Sequence, residues 1–353
     1  EKELTVVDSA DRIVTVKKPV KRIIPLTSSI FVEALRTLDA TDKIVALERR
    51  KGYMTYLGEL CELPNVGSGG FGPPNYELLL SLKSDLILES GMSYYDGVVD
   101  KIESLAPNIP ILRLDCVNTM VESGIDSPIE EITKLGYVLD RKDEAEEFSD
   151  WYYKSFGSIK ARTEKLSDDE KPRVLYGDFK RGGAPEWYAY NKNTLRHQTI
   201  EIAGGKNIAE DLDFGVGFGR GACGYVDLEW VIEQNPEIIV RYYLPYVGGR
   251  MGIWETYDMD DPSEIIAQRE EVLNLPEFSN VAAVKNEKVY MLSCDIIYYG
   301  ASPIAIAHFA KIFHPELFED LDPQAIHQEF LTRFQRIDYN LDEHGVFVYP
   351  EPS

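Results

Sequence analysis

Two segments in opposite halves of the chain repeat the same order of loop, helix start, helix and strand. The segments are residues 75–88 and 227–240, and each follows a glycine-rich loop. Each begins with a residue suited to capping a helix and places a glutamate, Glu77 or Glu229, in the first turn, where the helix dipole favours a negative charge. Each then continues into a short apolar strand. The repeat therefore predicts two similar lobes, each with a helix that leads into a buried strand.

Short apolar strands alternate with helical stretches outside the repeat as well. The first 25 residues alternate like a β-hairpin followed by one buried strand. Such alternation is typical of parallel sheets that carry helices on their faces. We therefore predict an α/β fold of two Rossmann-like lobes with mostly parallel sheets, joined by one long α-helix, with a ligand cleft between the lobes. Including the two strands of the repeat, the strands predicted after the first 25 residues are 44–47, 85–88, 109–112, 173–176, 237–240 and 288–292.

The joining helix is predicted from a long stretch with apolar residues at helical spacing. Residues 127–166 carry Pro128 in the first turn, and only Gly136 and Gly157 interrupt the pattern. At about 1.5 Å per residue, a helix of this length would reach across a small domain. The predicted boundaries are an N-terminal lobe at 1–126, a linking helix at 127–166, a C-terminal lobe at 167–322, and a C-terminal helix and tail at 323–353.

The charge of the chain excludes several classes of partner. Its 353 residues include 37 Lys and Arg against 60 Asp and Glu, a formal net charge of −23. Such a surface repels phosphate backbones, so we expect no nucleic-acid partner.

The sequence also argues against a membrane-spanning segment and a cysteine-ligated zinc site. No apolar run is long enough to span a membrane. The four cysteines (Cys61, Cys116, Cys223 and Cys294) contain no C-x-x-C pair, which excludes a zinc ribbon and favours separate thiols.

Motifs for catalysis are missing from the sequence. Residues 219–224 fit G-x-G-x-x-G, but no strand precedes them, so a dinucleotide site is not expected. Four of the five histidines lie near the C-terminus, and the remaining one, His197, has no acid within residues 194–198. We therefore predict no catalytic residue, no metal-ligand set and no intrinsic cofactor.

Basic and aromatic residues gather in the loops that follow the predicted strands. Ligands of open α/β sheets bind beyond the carboxyl ends of the strands. Arginine and tyrosine suit anionic oxygen atoms, and aromatic rings suit a flat apolar body. The predicted ligand-binding residues are Ser28, Arg49, Arg50, Tyr94, Arg181, Trp187, Arg220, Arg241, Tyr242, Tyr243, Tyr298 and Tyr299.

Landmarks along the whole chain carry a family resemblance. They lie at residues 19–24, 74–88, 224–240, 275–290 and 310–318. In their order and spacing the chain resembles the substrate-binding proteins of ABC importers for iron-siderophores, haem and cobalamin, the class III periplasmic binding proteins.

The resemblance implies a fold, a location and partners. It implies two lobes bridged by one helix, with the ligand held in the cleft between them. One surface glutamate per lobe would dock onto arginines of a permease, and by position these are Glu77 and Glu229. The expected protein is an extracytoplasmic monomer, periplasmic or at the cell surface, whose partners are the permease and ATPase of the importer. The chain opens with Glu1-Lys2-Glu3, so a signal or anchor segment is expected to lie outside it.

The ligand is left open among several candidates. A ferric chelate is the first, since arginines would neutralise an anionic siderophore or carboxylate complex. Tyr242, Tyr243, Tyr298 and Tyr299 offer phenolate oxygens that suit ferric iron. A corrinoid or haem is the alternative within the same importer class, because aromatic rings would cover a macrocycle. A tetrapyrrole or metal chelatase, which resembles the same architecture, is the enzyme alternative.

Overall fold

The chain is divided into two compact units, each formed by separate stretches of sequence. The computed structural model describes residues 2–26, 28–48, 54–67, 72–90, 97–114, 124–179, 186–215, 221–243, 246–247, 250–251 and 255–352. Unit 1 comprises Glu1–Asn118, Asp126–Trp151 and Leu331–Asp338. Unit 2 comprises Thr119–Ile125, Tyr152–Phe330 and Tyr339–Ser353.

The strands belong to one unit or the other. Those of unit 1 are β1 (Lys2–Val7), β2 (Ile13–Lys18), β3 (Ile23–Pro25), β4 (Leu47–Glu48), β5 (Asn65–Gly67), β6 (Leu86–Glu89) and β7 (Ile111–Arg113). Those of unit 2 are β8 (Arg173–Phe179), β9 (Glu186–Tyr190), β10 (Lys206–Asn207), β11 (Cys223–Asp227), β12 (Ile238–Tyr243), β13 (Tyr246–Val247), β14 (Arg250–Met251), β15 (Val289–Ser293) and β16 (Val348–Tyr349).

The helices lie between the strands and after them. They are α1 (Ser28–Thr37), α2 (Met54–Leu57), α3 (Tyr76–Ser81), α4 (Val98–Leu105), α5 (Ser127–Leu139), α6 (Lys142–Thr163), α7 (Leu195–Ile202), α8 (Leu228–Gln234), α9 (Ser263–Leu273), α10 (Ala282–Lys285), α11 (Ser302–Phe313) and α12 (Pro323–Glu329). Within the described part of the chain, none of them has both the length and the apolar character needed to cross a bilayer.

Unit 1 combines the predicted hairpin with a small parallel sheet. β1 and β2 pair antiparallel, and the register runs from Lys2 opposite Lys18 to Val7 opposite Ile13. β3, β6 and β7 form a parallel sheet in that order. Apolar side chains of this sheet pack against those of the neighbouring helices and form the core of the unit, in which Ile87 is fully buried.

Unit 2 is built on a seven-stranded sheet with parallel strands at its centre. The order is β11-β9-β8-β12-β15-β16, and β10 also pairs with β8. β12 is parallel to both β8 and β15, whereas β9, β11 and β16 add antiparallel pairs. Trp187 and Ile239 on one face of this sheet pack with Val231 of α8 and Phe278 into a buried apolar core. The prediction of an α/β fold with mostly parallel sheets is confirmed.

The internal repeat is visible in the local structure of each unit. The Asn75 side chain accepts a hydrogen bond from the Leu78 amide at 3.0 Å and begins α3. The Asp227 side chain accepts one from the Trp230 amide at 2.7 Å and begins α8. Both predicted caps are therefore present. Each one supplies an acceptor for an amide that has no partner within its own helix.

Residues 127–166, predicted as a nearly continuous helix, form two helices with a break close to Gly136. α5 ends at Leu139, Asp140 has a φ of +60°, and α6 starts at Lys142. Asp tolerates this left-handed conformation because its short polar side chain can hydrogen-bond locally. The Arg141 amide bonds back to the Gly136 carbonyl at 2.8 Å, which closes the end of α5.

Gly136 marks a close approach at this break. A Cβ atom there would lie 2.9 Å from both the Ala145 side chain and the Arg141 carbonyl, so a side chain would force the two helix ends apart. The limits of the two units also differ from the predicted boundaries. Leu331–Asp338 belongs to unit 1, although it lies within the predicted tail at 323–353.

Candidate ligand-binding site

Aromatic side chains of unit 2 surround a buried arginine on one face of the large sheet. Side chains of successive strand residues point to opposite faces, so Tyr188 and Tyr190 of β9 lie on the same face. The register of β8 and β9 brings Tyr176 to this face, opposite the apolar core that contains Trp187. The tyrosine–arginine cluster comprises Tyr176, Tyr188, Tyr190, Arg196, Tyr242 and Tyr298, which are linked by the ring and cation contacts described below.

Arg196 is the centre of the cluster. Its guanidinium carbon lies 4.4 Å from the centroid of the Tyr190 ring and 5.0 Å from that of Tyr298, and the residue is 1% exposed. An arginine side chain keeps its charge in proteins, so the cluster holds a desolvated cation. Electron-rich ring faces offset part of the desolvation cost, by about 2 kcal/mol per contact when the pair is dry. A positive charge is thereby fixed among hydroxyl groups.

The helix start at Thr194 positions this arginine. The Thr194 hydroxyl accepts a hydrogen bond from the His197 amide at 3.2 Å, which begins α7 one residue before Leu195. Arg196 therefore lies in the first turn of α7, and the capped turn restricts its backbone before the side chain meets the tyrosine rings.

The rings contact one another in series. Tyr190 lies 5.3 Å from Tyr188, 5.7 Å from Tyr176 and 6.3 Å from Tyr242, measured between ring centroids. The Tyr176 hydroxyl is buried and has no hydrogen-bond partner among the described residues. A buried hydroxyl without a partner costs about 1–3 kcal/mol, which a ligand that accepts its hydrogen bond would recover.

Burial keeps the cluster tyrosines protonated. It raises the pKa of Tyr176, Tyr242 and Tyr298 well above the ordinary value, and it also raises the pKa of Tyr188 and Tyr190. These groups are therefore neutral O–H donors at physiological pH, not phenolates. Such a set, arranged around one guanidinium, suits a ligand with negatively charged oxygen atoms.

Two thiols border the cluster. The Tyr188 hydroxyl donates to the Cys223 Sγ at 2.8 Å, and burial raises the pKa of both Cys223 and Cys294. Neither of them forms a disulfide within the described residues, nor does Cys61, which agrees with the prediction of separate thiols for these three residues. Cys116 lies outside the described residues.

The cluster reaches solvent at one edge. Tyr188 and Tyr242 are half-buried, and Tyr225 of β11 is 51% exposed and lies 5.0 Å from Tyr188 between ring centroids. Strand β9 thus carries the cluster from the buried Tyr190 to the surface.

Strand alternation separates three residues that were predicted as one group. Tyr242 joins the cluster through Tyr176 at 6.2 Å between centroids. Its neighbours Arg241 and Tyr243 point to the opposite face. The Arg241 guanidinium bonds to Asp178 and Glu271, each at 2.8 Å, and is fully buried.

These contacts give Arg241 a structural partner set, so the structure does not bring it into the cluster. Tyr243 packs with Ile265 and Met291 on that same face. Trp187 lies in the apolar core of unit 2, and Tyr299 is buried in a short turn with a φ of +46°. Of the predicted ligand-binding residues that are described, Tyr242 and Tyr298 are the ones that contact the cluster.

Several predicted residues cannot be placed. Arg49, Arg50, Tyr94, Arg181 and Arg220 lie outside the described residues, as does the side chain of Ser28 at the start of α1. Their predicted contacts with a ligand remain predictions.

The two glutamates predicted for permease docking are both exposed. Glu77 lies in the first turn of α3 in unit 1, and Glu229 lies in the first turn of α8 in unit 2. Each is therefore accessible to a partner, and each also complements the dipole of its helix.

The predicted ligand-binding residues did not include four members of the cluster, namely Tyr176, Tyr188, Tyr190 and Arg196. The alternating pattern Trp187-Tyr188-Ala189-Tyr190 contained the signal, because period-two alternation places both tyrosines on one face of a strand. The ligand was instead sought only in loops.

The acidic partner of His197 was also missed. Its Nε2 lies 3.0 Å from a carboxylate oxygen of Glu201, one helical turn further along α7. A search for acids at a spacing of four residues would have found this pair, whereas a search of residues 194–198 did not.

Comparisons with known proteins agree with this architecture. The chain is 23% identical over 361 residues to the molybdate-binding protein MolA of Haemophilus influenzae, which covers 96% of this chain and 92% of that protein. It is 24% identical over 327 residues to the ABC transporter substrate-binding lipoprotein YvrC of Bacillus subtilis, which covers 90% of this chain and 87% of that protein.

Solved structures show the same fold. The molybdate-bound MolA structure has a TM-score of 0.72 at 20% identity, covering 96% of this chain and 99% of that one. The TroA-like periplasmic binding protein FepB from Veillonella parvula has a TM-score of 0.73 at 22% identity, covering 98% of this chain and 99% of that one. The family model for periplasmic binding proteins matches residues 25–295. The chain therefore belongs to the periplasmic binding protein family.

Proposed function

We propose that this protein is the extracytoplasmic substrate-binding component of an ABC importer and that its cargo is an anionic, oxygen-rich metal species. The observation that carries the proposal is the buried guanidinium of Arg196 among neutral phenols. A fixed positive charge with hydroxyl donors around it stabilises negatively charged oxygen atoms strongly in a dry site. The same site disfavours a bare cation.

The relatives support the transport role and the location. MolA is named for molybdate binding, and YvrC is named as a substrate-binding lipoprotein of an ABC transporter. A protein of this kind binds its cargo, delivers it unchanged and works with a permease and an ATPase. We extend that role to this chain, without an enzymatic step.

A ferric chelate is our first candidate for the cargo. Siderophore and carboxylate complexes of ferric iron present anionic oxygen atoms on an apolar body, which the guanidinium and the aromatic rings would both contact. The protonated tyrosines favour hydrogen bonding to the chelate over direct ligation of iron.

A metal oxyanion such as molybdate is the second candidate. The observation that favours it is the enclosed Tyr176 hydroxyl, which has no hydrogen-bond partner among the described residues and which a compact oxyanion could supply with an acceptor. The likeness to MolA supports the same class. Corrinoids and haem rank below both, because protonated tyrosines are weak axial ligands.

Calorimetric titration against a panel tests the proposal. The panel contains ferric citrate, ferric hydroxamate and catecholate siderophores, molybdate, haem and hydroxocobalamin. We expect one anionic member to bind with one-to-one stoichiometry, and to stabilise the fold by about 2.7 kcal/mol at a hundredfold excess over its Kd. Arg196→Gln should weaken that binding on the order of 100-fold. The proposal would be overturned if none of the anionic members binds, or if the Arg196→Gln variant binds the ligand as tightly as the parent protein does.

A further inference from the structure

Three potential metal ligands converge at α7 and the turn that follows β10. His197 Nε2 and a carboxylate oxygen of Glu201 are 3.0 Å apart, and one carboxylate oxygen of Glu210 lies within 4.8 Å of both. His197 is buried, Glu201 is exposed and Glu210 is half-buried. We call these three residues the His–Glu–Glu triad. All of them belong to unit 2.

The two carboxylates of the triad favour binding of a cation. Glutamate side chains are ordinarily carboxylates at neutral pH, and an oxygen of Glu201 lies within 4.8 Å of an oxygen of Glu210. The Glu210 carboxylate has no hydrogen bond or ion pair with any described side chain. Two carboxylates at this separation repel each other, and a divalent ion between them would turn the repulsion into attraction.

The donor set and the distances suit a first-row transition metal. Zn²⁺ binds imidazole nitrogen and carboxylate oxygen at about 2.0–2.2 Å, which places tetrahedral ligand atoms about 3.4 Å apart. His197 Nε2 and the Glu201 oxygen are 3.0 Å apart, and no pair of ligand atoms in the triad is more than 4.8 Å apart, so small side-chain adjustments would complete the site. Imidazole nitrogen favours Zn²⁺ and its neighbours in the series over the alkaline-earth ions, which prefer all-oxygen sets.

The side-chain amide of Asn207 lies beside the imidazole ring of His197. Its side-chain nitrogen donates to the Tyr190 carbonyl at 2.8 Å, and its side-chain oxygen accepts from the Ala209 amide at 3.0 Å. The same nitrogen lies 3.4 Å from His197 Nδ1. The Asn207 side-chain nitrogen only donates, so this long contact is a weak hydrogen bond in which Nδ1 accepts. Metal binding through Nε2 places the proton on Nδ1, so the ring would turn slightly away from this nitrogen when the ion binds.

A cavity of about 500 Å³ gives access to the triad. Glu201 and Glu210 both line it, so a metal there would keep positions open to water or to a small ligand.

Three lysines also line the cavity, namely Lys160, Lys171 and Lys206. Lys160 lies 3.8 Å from Glu164, and Lys171 lies 3.5 Å from Asp168. Two of the three ammonium groups are therefore paired with carboxylates outside the triad, and this reduces their repulsion of an incoming cation.

We propose that His197, Glu201 and Glu210 bind a divalent transition-metal ion of the Zn²⁺ type, at a site separate from the cargo site. The ion would join α7 to the turn that contains Glu210. Because Arg196 directly precedes His197 in the first turn of α7, the ion would also restrain the backbone that carries the central arginine of the cluster.

Metal titration of the chelator-treated full chain tests this site. We expect Zn²⁺ to bind with one-to-one stoichiometry by calorimetry and to raise the Tm. Glu210→Gln should weaken that binding at least tenfold, because it removes an accessible ligand without disturbing the core. Glu233→Gln is the matched control, since Glu233 is an exposed glutamate of α8 that does not line the cavity, and it should leave Zn²⁺ binding unchanged. Tyr176→Phe should also leave it unchanged, which separates this site from the cargo site.

His197→Asn provides a second variant, and its fold is checked first because the residue is buried. Loss of Zn²⁺ binding in the folded variant would support the site. The proposal is overturned if Zn²⁺ does not bind the chelator-treated protein, or if Glu210→Gln binds it as well as the parent protein does. Binding of Ca²⁺ in preference to Zn²⁺ would overturn the assignment to a transition metal.

Discussion

The guanidinium carbon of Arg196 lies 4.4 Å from the centroid of the Tyr190 ring, and both side chains are buried. The contact of a guanidinium with a ring face stabilises a desolvated cation. In our proposal the same charge also attracts the anionic cargo. Substitution of the arginine distinguishes these two roles.

Replacement of Arg196 by Gln should weaken binding of the anionic cargo on the order of 100-fold, since charged hydrogen bonds contribute about 1.5–3 kcal/mol each. Arg196→Lys keeps the charge but loses the planar group that stacks on the ring, so we expect an intermediate loss. Calorimetric titration with the cargo measures both effects, and thermal unfolding verifies the fold. Equal affinities in the parent protein and the Gln variant would contradict the assignment.

Removal of the Tyr176 hydroxyl should lower affinity without lowering stability. That hydroxyl is buried and has no hydrogen-bond partner among the described residues, so Tyr176→Phe loses no protein contact. We expect the free energy of unfolding to stay the same or rise, and the Kd to increase about tenfold.

Tyr152→Phe is the matched control for this substitution. The Tyr152 hydroxyl is 2.7 Å from the Ser302 hydroxyl and donates to the Ile125 carbonyl at 2.9 Å. Its loss should destabilise the protein by about 1–2 kcal/mol and leave the cargo affinity unchanged. The reverse pattern in the two variants would show that Tyr176 has a structural role only.

Gly177 allows two strands to approach closely beside the cluster. A Cβ atom there would lie within 1.7 Å of the Tyr188 carbonyl oxygen and 2.6 Å from Trp187 Nε1. Gly177→Ala should therefore cost about 3 kcal/mol or more, because β9 must move to relieve the overlap. Chemical denaturation measures the loss.

Gly157→Ala on α6 provides the control for the same change in chemistry. A Cβ atom at Gly157 would meet nothing within 4 Å, and the residue is exposed. Alanine is the better helix former, so we expect a gain of up to about 1 kcal/mol. Similar effects of the two substitutions would mean that the close approach at Gly177 is not a constraint.

Two buried histidines should make the fold sensitive to mild acid. Burial lowers the pKa of His308 to about 4 and that of His327 to about 3, against 6.5 for a free imidazole. Above pH 7 both are neutral in the folded and the unfolded chain, so they do not change stability there. As the pH falls below 6.5, the unfolded chain takes up protons that the folded chain does not, and stability is lost.

The Tm should therefore fall steadily between pH 6.5 and pH 4, which differential scanning calorimetry measures. His327→Gln keeps a polar partner for the Tyr257 hydroxyl, which lies 3.0 Å from His327 Nε2, and should reduce the slope. His344→Gln is the control, because this side chain is half-exposed beside Asp260. A slope that His327→Gln does not change would argue against this origin of acid sensitivity.

Glu77 and Glu229 are expected to act on the permease and not on the cargo. Both are exposed in the first turn of a helix, so Glu77→Ala with Glu229→Ala should cost little stability and leave the cargo Kd unchanged. We expect the double variant to abolish cargo-stimulated transport in proteoliposomes that contain the importer. Glu233→Ala, an exposed glutamate one turn further along α8, is the control. Normal transport by the double variant would contradict the docking role.

The sequence alone was sufficient to predict those elements whose structure depends on residues close together in the chain. The caps at Asn75 and Asp227 and the hairpin of β1 and β2 depend on residues that are neighbours in the chain, so their patterns predicted them correctly. The break at Asp140 was missed because apolar spacing continues across it. The close approach at Gly136 that requires the break depends on the packing of two helices.

The candidate site was harder to predict because it combines faces of several elements. The run Arg241-Tyr242-Tyr243 suggests one group, yet alternation directs Tyr242 alone to the cluster, and Arg241 is engaged by Asp178 and Glu271. Arg196 lies in a helix that carries no motif. Its role depends on the register of β8 and β9, which single-sequence patterns do not specify.

The path of the chain has a consequence for how such a protein can be divided or recombined. The C-terminal stretch first supplies Leu331–Asp338 to unit 1, where the Gln335 amide donates to the Thr37 hydroxyl at 3.2 Å. It then supplies β16, which pairs with β15 in unit 2. Neither unit can therefore be expressed as one uninterrupted gene fragment. A chimera between two relatives that exchanges a single contiguous half would inherit a tail matched to only one of its parents.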